Sequence, residues 1–290
     1  MELKGSANNV KQPLHMRIDA HQHFWKYSPI AHGWMDESMK VIRRDFSPTD
    51  LAKELHALHI DGTVAVQVDQ TETETQYLLD LAAEHDLIKA VVGWMDLHSP
   101  NAIERMHYWK KNSVLKGFRC IMQGQPDEAY LTNKEFQANV KTLASVDYSY
   151  DLLVYHHQFP SLIKFVDKLP DNRMILDHIG KPDIKNRNIK EWQANIKTLA
   201  QHPGIYCKLS GMITEADYKH WTYDDLKPYL EIAAEHFGVD RICFGTDWPV
   251  CLVAGSYQQV YQVVQKFSTQ LTKDQQDKLF GANTIKFYKI

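Results

Sequence analysis

Two histidines stand one residue apart in Arg17-Ile18-Asp19-Ala20-His21-Gln22-His23-Phe24-Trp25, at the end of a short apolar run. In a β-strand alternate side chains share a face, so this spacing projects His21 and His23 together, with Asp19 below them on that face. Two imidazoles so placed can share one metal ion or hold one water molecule. A His-x-His pair also arises by chance in a chain with 15 histidines, so the pair gains its weight from the far end of the sequence. There Arg241-Ile242-Cys243-Phe244-Gly245-Thr246-Asp247-Trp248 is a second strand-like run, and it ends in a carboxylate. An early His-x-His and a late strand-end aspartate suit a closed barrel, in which first and last strands are neighbours.

The elements between them fit that closure. Short β-branched runs alternate with amphipathic stretches of ten or more residues, the pattern of parallel βα units. Eight strands are expected, at Arg17–Ala20, Gly62–Val68, Ile88–Asp96, Leu115–Met122, Asp151–His156, Arg173–His178, Gly204–Ser210 and Arg241–Thr246. Helices are expected at about 49–59, 73–86, 101–111, 133–147, 160–169, 189–201, 222–237 and 257–269, with Thr49, Thr73 and Pro160-Ser161 as starts. The stretches TKDQQDKLF and NTIKFYKI leave room for two more short helices. No Pro-, Gly- or Ser-rich linker divides the chain, so the expectation is an α/β fold, one (β/α)8 TIM barrel over residues 17–290. Residues 1–16 read as a mobile N-terminal extension.

Composition removes several function classes. With 44% hydrophobic and 24% charged residues in 290, the chain can bury a core as one large domain. The formal net charge is −3 and no Lys/Arg block stands out, so a nucleic-acid partner is not expected. The opening MELKGSANNVKQPLHM lacks an apolar signal-peptide region, and no run reaches transmembrane length, so neither export nor a membrane partner is expected. Cys120, Cys207, Cys243 and Cys251 are far apart, and three of them sit in strand-like runs, which fits buried thiols in a reducing cytoplasm. Nothing in the sequence opposes a homo-oligomer.

In such barrels the active site lies at the C-terminal strand ends. The ends here are rich in polar and titratable groups: Gln67, Asp69 and Gln70 at strand two, Asp96 at strand three, Arg119 on strand four. Strands five to eight end in Tyr155-His156-His157-Gln158, Asp177-His178, Lys208-Leu209-Ser210 and Asp247-Trp248. Buried ionisable groups cost several kcal/mol each unless paired or functional. Asp247 is the leading candidate for moving a proton or holding a metal. His178 precedes Gly180-Lys181-Pro182, which leaves it open, although a strand-end histidine can simply donate to a carbonyl. Adjacent His156 and His157 point apart, so at most one faces the mouth. Arg119 is read as holding a carbonyl or carboxylate. Lys208, Glu72 and Glu74 are read as solvated, the common fate of such charges.

These residues and their order resemble the amidohydrolase-2 group of the amidohydrolase superfamily, within its sugar-lactonase branch of L-fuconolactonases and L-rhamnonolactonases. The resemblance runs from about Arg17 to the C-terminus through RIDAHQHFW, VQVDQTETET, VGWMDL, LKGFR, YDLLVYHHQFP, ILDHIGKP, CKLSGM, FGTDWPV and GANTIKFY. It implies a distorted barrel and hydrolysis of a sugar aldonolactone to the open-chain acid. His21, His23, His178 and Asp247 fall on the family's catalytic positions. Two departures bear on metal. Many relatives carry His where this chain has Cys120, and relatives often carry Pro at the position of His156 and varied residues at that of His157. Arg119 stands near the position where binuclear members carry a bridging Lys. The implication is at most one divalent ion, zinc on His21, His23 and Asp247, weakly held or absent.

On this reading Asp247 shuttles the proton, His178 and Arg119 stabilise the oxyanion, and the imidazoles position metal or water. Trp25, Gln67, Trp94, His157 and Trp248 are expected to read the hydroxyls of a small sugar lactone. The alternatives are a dicarboxylate lactonase or metal-dependent decarboxylase on the same barrel, which would need Arg43 and Arg44 as extra cations, or a non-catalytic sugar- or metal-binding barrel.

Overall fold

The computed structural model describes residues 16–290. Residues 1–15 of the expected extension lie outside the described residues, while Met16 packs against the barrel interior. Eight parallel strands follow the chain order around the sheet: β1 (Ile18–Gln22), β2 (Gly62–Val66), β3 (Ile88–Gly93), β4 (Leu115–Ile121), β5 (Ser149–Leu153), β6 (Met174–Leu176), β7 (Ile205–Leu209) and β8 (Ile242–Phe244). Around them run α1 (Pro48–Ala57), α2 (Glu72–Glu84), α3 (Ala102–Trp109), α4 (Lys134–Thr142), α5 (Phe159–Val166), α6 (Lys190–Leu199), α7 (Tyr223–Phe237) and α8 (Tyr257–Ser268), followed by α9 (Lys273–Asp277) and α10 (Asn283–Tyr288). The fold is the expected (β/α)8 barrel with two short helices after it. β1 meets the chain after β8 through a parallel bridge between Gln22 and Trp248, where the Trp248 carbonyl accepts from the His23 amide (2.7 Å) and the His21 carbonyl from the Asp247 amide (2.8 Å). The His-x-His run and the run that ends in Asp247 are thus hydrogen-bonded to each other.

Strands such as GTVAV in β2 are buried on both faces, as parallel strands covered by helices must be. The helices bury one stripe: in α8 these are Tyr257, Val260, Tyr261, Val264 and Phe267. Two helices start earlier than expected. The cap of α1 is Ser47, whose hydroxyl accepts from the Asp50 amide with Pro48 in the first turn, and that of α2 is Thr71, accepting from the Glu74 amide. Thr49 and Thr73 lie inside their helices, because a cap three residues before an acidic partner closes a capping box or its half.

The barrel interior is layered. Ile18, Ala20, Val64, Val66, Ala90 and Val92 form an apolar stratum that α10 completes with Phe287 and Tyr288. Above it the interior turns charged, with Arg119 on β4 paired in register with Asp151 on β5, Asp177 just past β6, and Lys208 on β7. All four cysteines are free and buried, and burial raises the thiol pKa values of Cys120 and Cys243 to about 12, so they act as small hydrophobes. Among the described residues no helix is long and apolar enough to cross a membrane.

Candidate active site

The two histidines reach the mouth through an irregularity in β1. Ala20 belongs to the apolar interior, yet its neighbour His21 also points at interior groups, which a regular strand forbids. The β1–β2 register shifts between Asp19 and Gln22, and that bulge re-aims the strand end. Asp19 is accordingly not on the histidine face. Its carboxyl accepts from the Thr246 hydroxyl (2.6 Å), the Thr246 amide (3.1 Å) and the Tyr257 hydroxyl (3.0 Å), tying β1 to the end of β8 and to α8. Burial raises its pKa to about 6 despite those donors.

The partners of each imidazole fix its state. His23 Nδ1 lies 2.7 Å from the Val66 carbonyl, which can only accept, so Nδ1 carries a proton and donates there. Its Nε2 lies 3.1 Å from Asp247 Oδ1 and 3.2 Å from His21 Nε2. His21 is flanked by two cationic donors, the Lys208 ammonium 3.1 Å from Nδ1 and the Arg119 guanidinium 3.2 Å from Nε2. Protonating it would set an N–H against both. Burial foremost, then Lys208 and His178, hold its pKa well below the ordinary value although Asp177 opposes them. Asp177 bridges the pair, 2.9 Å from Lys208 and 2.9 Å from Arg119.

His178 and Asp247 face each other across the mouth at 3.8 Å, and His178 Nδ1 shares a hydrogen bond with the Ser210 hydroxyl at 2.9 Å. Burial lowers the pKa of His178 to about 4, leaving it neutral at pH 7. Burial works against charge on Asp247 too, but His178, the hydrogen bond with His23, and His21 carry its pKa below the usual carboxylate range. Both residues sit in left-handed backbone, with φ of 54° at His178 and 60° at Asp247, a strain on the order of 1–3 kcal/mol each that clusters at functional sites. Gly211 answers to this packing: a Cβ there would stand 2.6 Å from the His178 ring.

Above these groups opens a cavity of about 370 Å³. His23, Arg119, His178 and Asp247 line its floor, and Lys181 and Glu215 its wall. The substrate-reading residues expected from the sequence lie outside that lining. Trp25 is buried against Phe46 with its indole N–H on the Arg44 carbonyl (2.8 Å), and Trp248 packs on Phe24 and Phe46. Gln67 is spent on Arg119, whose Nη2 it accepts at 3.0 Å, while Trp94 backs onto Thr75. His156 donates from Nδ1 to the Lys181 carbonyl (2.8 Å), and His157 is exposed. Arg43 pairs with Glu37 and Arg44 stacks on Phe46, so neither reaches the cavity. Two readings of solvated charge are corrected as well. Lys208 is wholly buried on Asp151 (2.5 Å) and Asp177, and Glu74 accepts the Val68 and Asp69 amides at the end of β2. The inward period-2 register of β7 was the available signal for Lys208; nothing in the sequence pointed to Glu215.

His21, His23 and Asp247 bring one ligand atom each within 4.8 Å of one another. Two imidazole nitrogens and a carboxylate oxygen are the donor set of a catalytic zinc site with an open position. His23 Nε2 and Asp247 Oδ1 stand 3.1 Å apart, a separation that either a proton or a cation between them satisfies. The residues therefore fit one divalent ion.

A parallel barrel that gathers imidazoles and a carboxylate at its strand ends, beside a cavity, has the groups that activation of water for hydrolysis requires. The chain belongs to the amidohydrolase family, whose model matches residues 18–290. It is 36% identical over 286 residues to an L-fucono-1,5-lactonase of Burkholderia multivorans, covering 95% of this chain and 96% of that protein. An L-fucono-1,5-lactonase of Burkholderia ambifaria is 33% identical over 281 residues, with 94% and 96% covered. A crystal structure of an amidohydrolase from Burkholderia multivorans with bound zinc matches with a TM-score of 0.92 at 35% identity, covering 95% of this chain and 99% of that one.

Proposed function

We propose that this protein hydrolyses a neutral sugar aldonolactone, of the L-fucono-1,5-lactone or L-rhamnonolactone type, to the open-chain aldonic acid. The observation that carries the reading is the ionised Asp247 facing neutral His178 on the floor of a cavity of about 370 Å³, toward the small end of the range for ligand sites. Water held by Asp247 and His23 attacks the lactone carbonyl carbon. The ring C–O bond breaks, and the proton taken from water passes through Asp247 to the departing alkoxide. His178 and Arg119 stabilise the negative charge that develops on the carbonyl oxygen, where losing one donor costs about 3 kcal/mol.

A carboxylate with so low a pKa is a weak base, so Asp247 acts mainly by orienting water and returning the proton. One zinc ion on His21, His23 and Asp247 would supply a bound water of pKa about 7 or polarise the carbonyl. We infer that it is weakly held, because the Arg119 guanidinium already stands 3.2 Å from His21 Nε2 and repels a second cation.

Charge favours a neutral lactone over a dicarboxylate. Among the described residues lining the cavity the cations are Arg119 and Lys181, and both are paired, with Asp177 at 2.9 Å and Glu215 at 3.3 Å. A second substrate carboxylate would lose several kcal/mol of hydration with nothing to meet it. The test is a panel of freshly prepared aldonolactones scored by acid release, with and without chelator. Turnover of an L-fucono- or L-rhamnono-lactone is expected; a panel with no turnover contradicts the reading.

A further inference from the structure

The cavity wall is divided. In barrel order, β8, β1 and β2 are followed by apolar lining residues: Val250 and Val253, Met39, and Val68. Next to β8 in that order, the segments after β6 and β7 contribute Lys181, Thr214, Glu215 and Tyr218. Lys181 and Glu215 form an ion pair at 3.3 Å, with side chains only 15% and 19% exposed, which sets it apart from the mobile pairs of an outer surface. Burial opposes the charge on Lys181, yet Glu215 and Asp247 raise its pKa.

The backbone beneath the pair is constrained. His178, Ile179, Gly180 and Lys181 all have φ between 48° and 72°, so one left-handed turn delivers both the floor imidazole and the wall ammonium. The Lys181 carbonyl accepts from His156, and the Glu215 carbonyl accepts from the Lys185 amide at 3.0 Å, which ties the two segments together. A turn of four consecutive positive φ angles persists only where its surroundings over-determine it, and such turns gather at ligand clamps.

A matched ammonium and carboxylate have no net charge to offer an ionic substrate. They do offer a donor and an acceptor side by side. The ammonium has three N–H donors and the carboxylate about four lone-pair sites, so each has capacity left after meeting the other. Two neighbouring hydroxyls need that combination, one donating to carboxylate while the next accepts from ammonium, in charge-assisted bonds.

We propose that Lys181 and Glu215 are specificity-determining residues that read adjacent ring hydroxyls of the lactone and thereby select hydroxylated lactones over bare ones. The proposal rests on the lactonase reading above. The test compares kcat/KM of the full chain for L-fucono-1,5-lactone and for δ-valerolactone, the same six-membered ring without hydroxyls. Glu215→Gln and Lys181→Met are each expected to lower the ratio of the two at least about fivefold, mainly through the KM of the hydroxylated lactone. Lys181→Arg, which keeps the cation, is expected to hold the ratio nearer wild type than Lys181→Met, and it serves where Lys181→Met fails to fold. A smaller change in the ratio, with both substrates losing rate in proportion, overturns the role and marks a purely structural pair. Wild-type protein that opens neither lactone contradicts the lactonase reading itself, and with it this proposal; wild-type activity with an unmoved ratio contradicts only the role of the pair.

Discussion

The Lys208 ammonium stands 3.1 Å from His21 Nδ1 at full burial, directly beneath the candidate active site. Lys208 also meets Asp151 at 2.5 Å and Asp177 at 2.9 Å, and Tyr288 of α10 donates to Asp151 at 2.7 Å. A chain of charged contacts therefore runs from the C-terminal helix to the imidazole.

Lys208→Met strands two buried carboxylates, and the expected loss is about 3–5 kcal/mol of stability in urea unfolding. Adding Asp151→Asn removes one of the orphaned charges and is expected to return part of the loss, a coupling read from the double-mutant cycle. A single-variant loss below about 1 kcal/mol would show that the network does not hold the barrel interior together.

Much of the barrel was legible in the sequence because parallel strands and amphipathic helices write two different periods, and all eight strands fall where those periods lie. The helix starts missed by two residues because Ser47 and Thr71 compete with nearby Thr49 and Thr73 as caps, and only the backbone decides. His21, His23, His178, Arg119 and Asp247 could be singled out from strand-end position. Asp19 could not be assigned its face, since the bulge that flips the parity of β1 leaves no mark in residue types. The aromatic and amide residues expected to touch substrate lie off the cavity lining for a related reason: Trp25, Trp248 and Gln67 are as well suited to packing or bracing Arg119 as to binding sugar. Lys181 and Glu215 lie on connecting segments, where side-chain direction depends on turn conformation rather than on any period.

Asp247→Asn keeps the shape of the side chain but removes its charge and its capacity to carry a proton. Turnover is expected to fall by more than tenfold, over about 1.4 kcal/mol in transition-state stabilisation, with the folded state retained by circular dichroism. A variant that keeps more than about a tenth of the wild-type rate takes the proton-transfer role away from Asp247.

The pH dependence follows from His178. Burial lowers its pKa to about 4 from an ordinary 6.5, so the neutral form serves the reaction down to mildly acid conditions. The kcat/KM is expected to stay level from about pH 7.5 to 5 and to fall as pH drops through about 4. The linkage to folding has the same direction: the unfolded chain takes up the proton first, so the contribution of His178 to stability is full above about 6.5 and is lost as pH falls through about 4. An acid limb of kcat/KM centred near 6.5 would show an imidazole with ordinary solvation.

For metal, elemental analysis of purified protein is expected to find less than one zinc per chain, since the Arg119 guanidinium competes at His21 Nε2. One firmly held ion, with activity lost to chelator and restored by zinc, would overturn weak binding. Two ions per chain would contradict the ligand set of His21, His23 and Asp247.

The central claim, a neutral aldonolactone opened over Asp247, is tested most directly by side-by-side kcat/KM measurements on L-fucono-1,5-lactone and on a dicarboxylate lactone. Both lining cations are already paired, Arg119 with Asp177 and Lys181 with Glu215. The sugar lactone is therefore predicted to be favoured at least tenfold, about 1.4 kcal/mol in transition-state binding. A preference for the dicarboxylate would contradict the account, because it would require a free cation that this cavity wall does not present among the described residues.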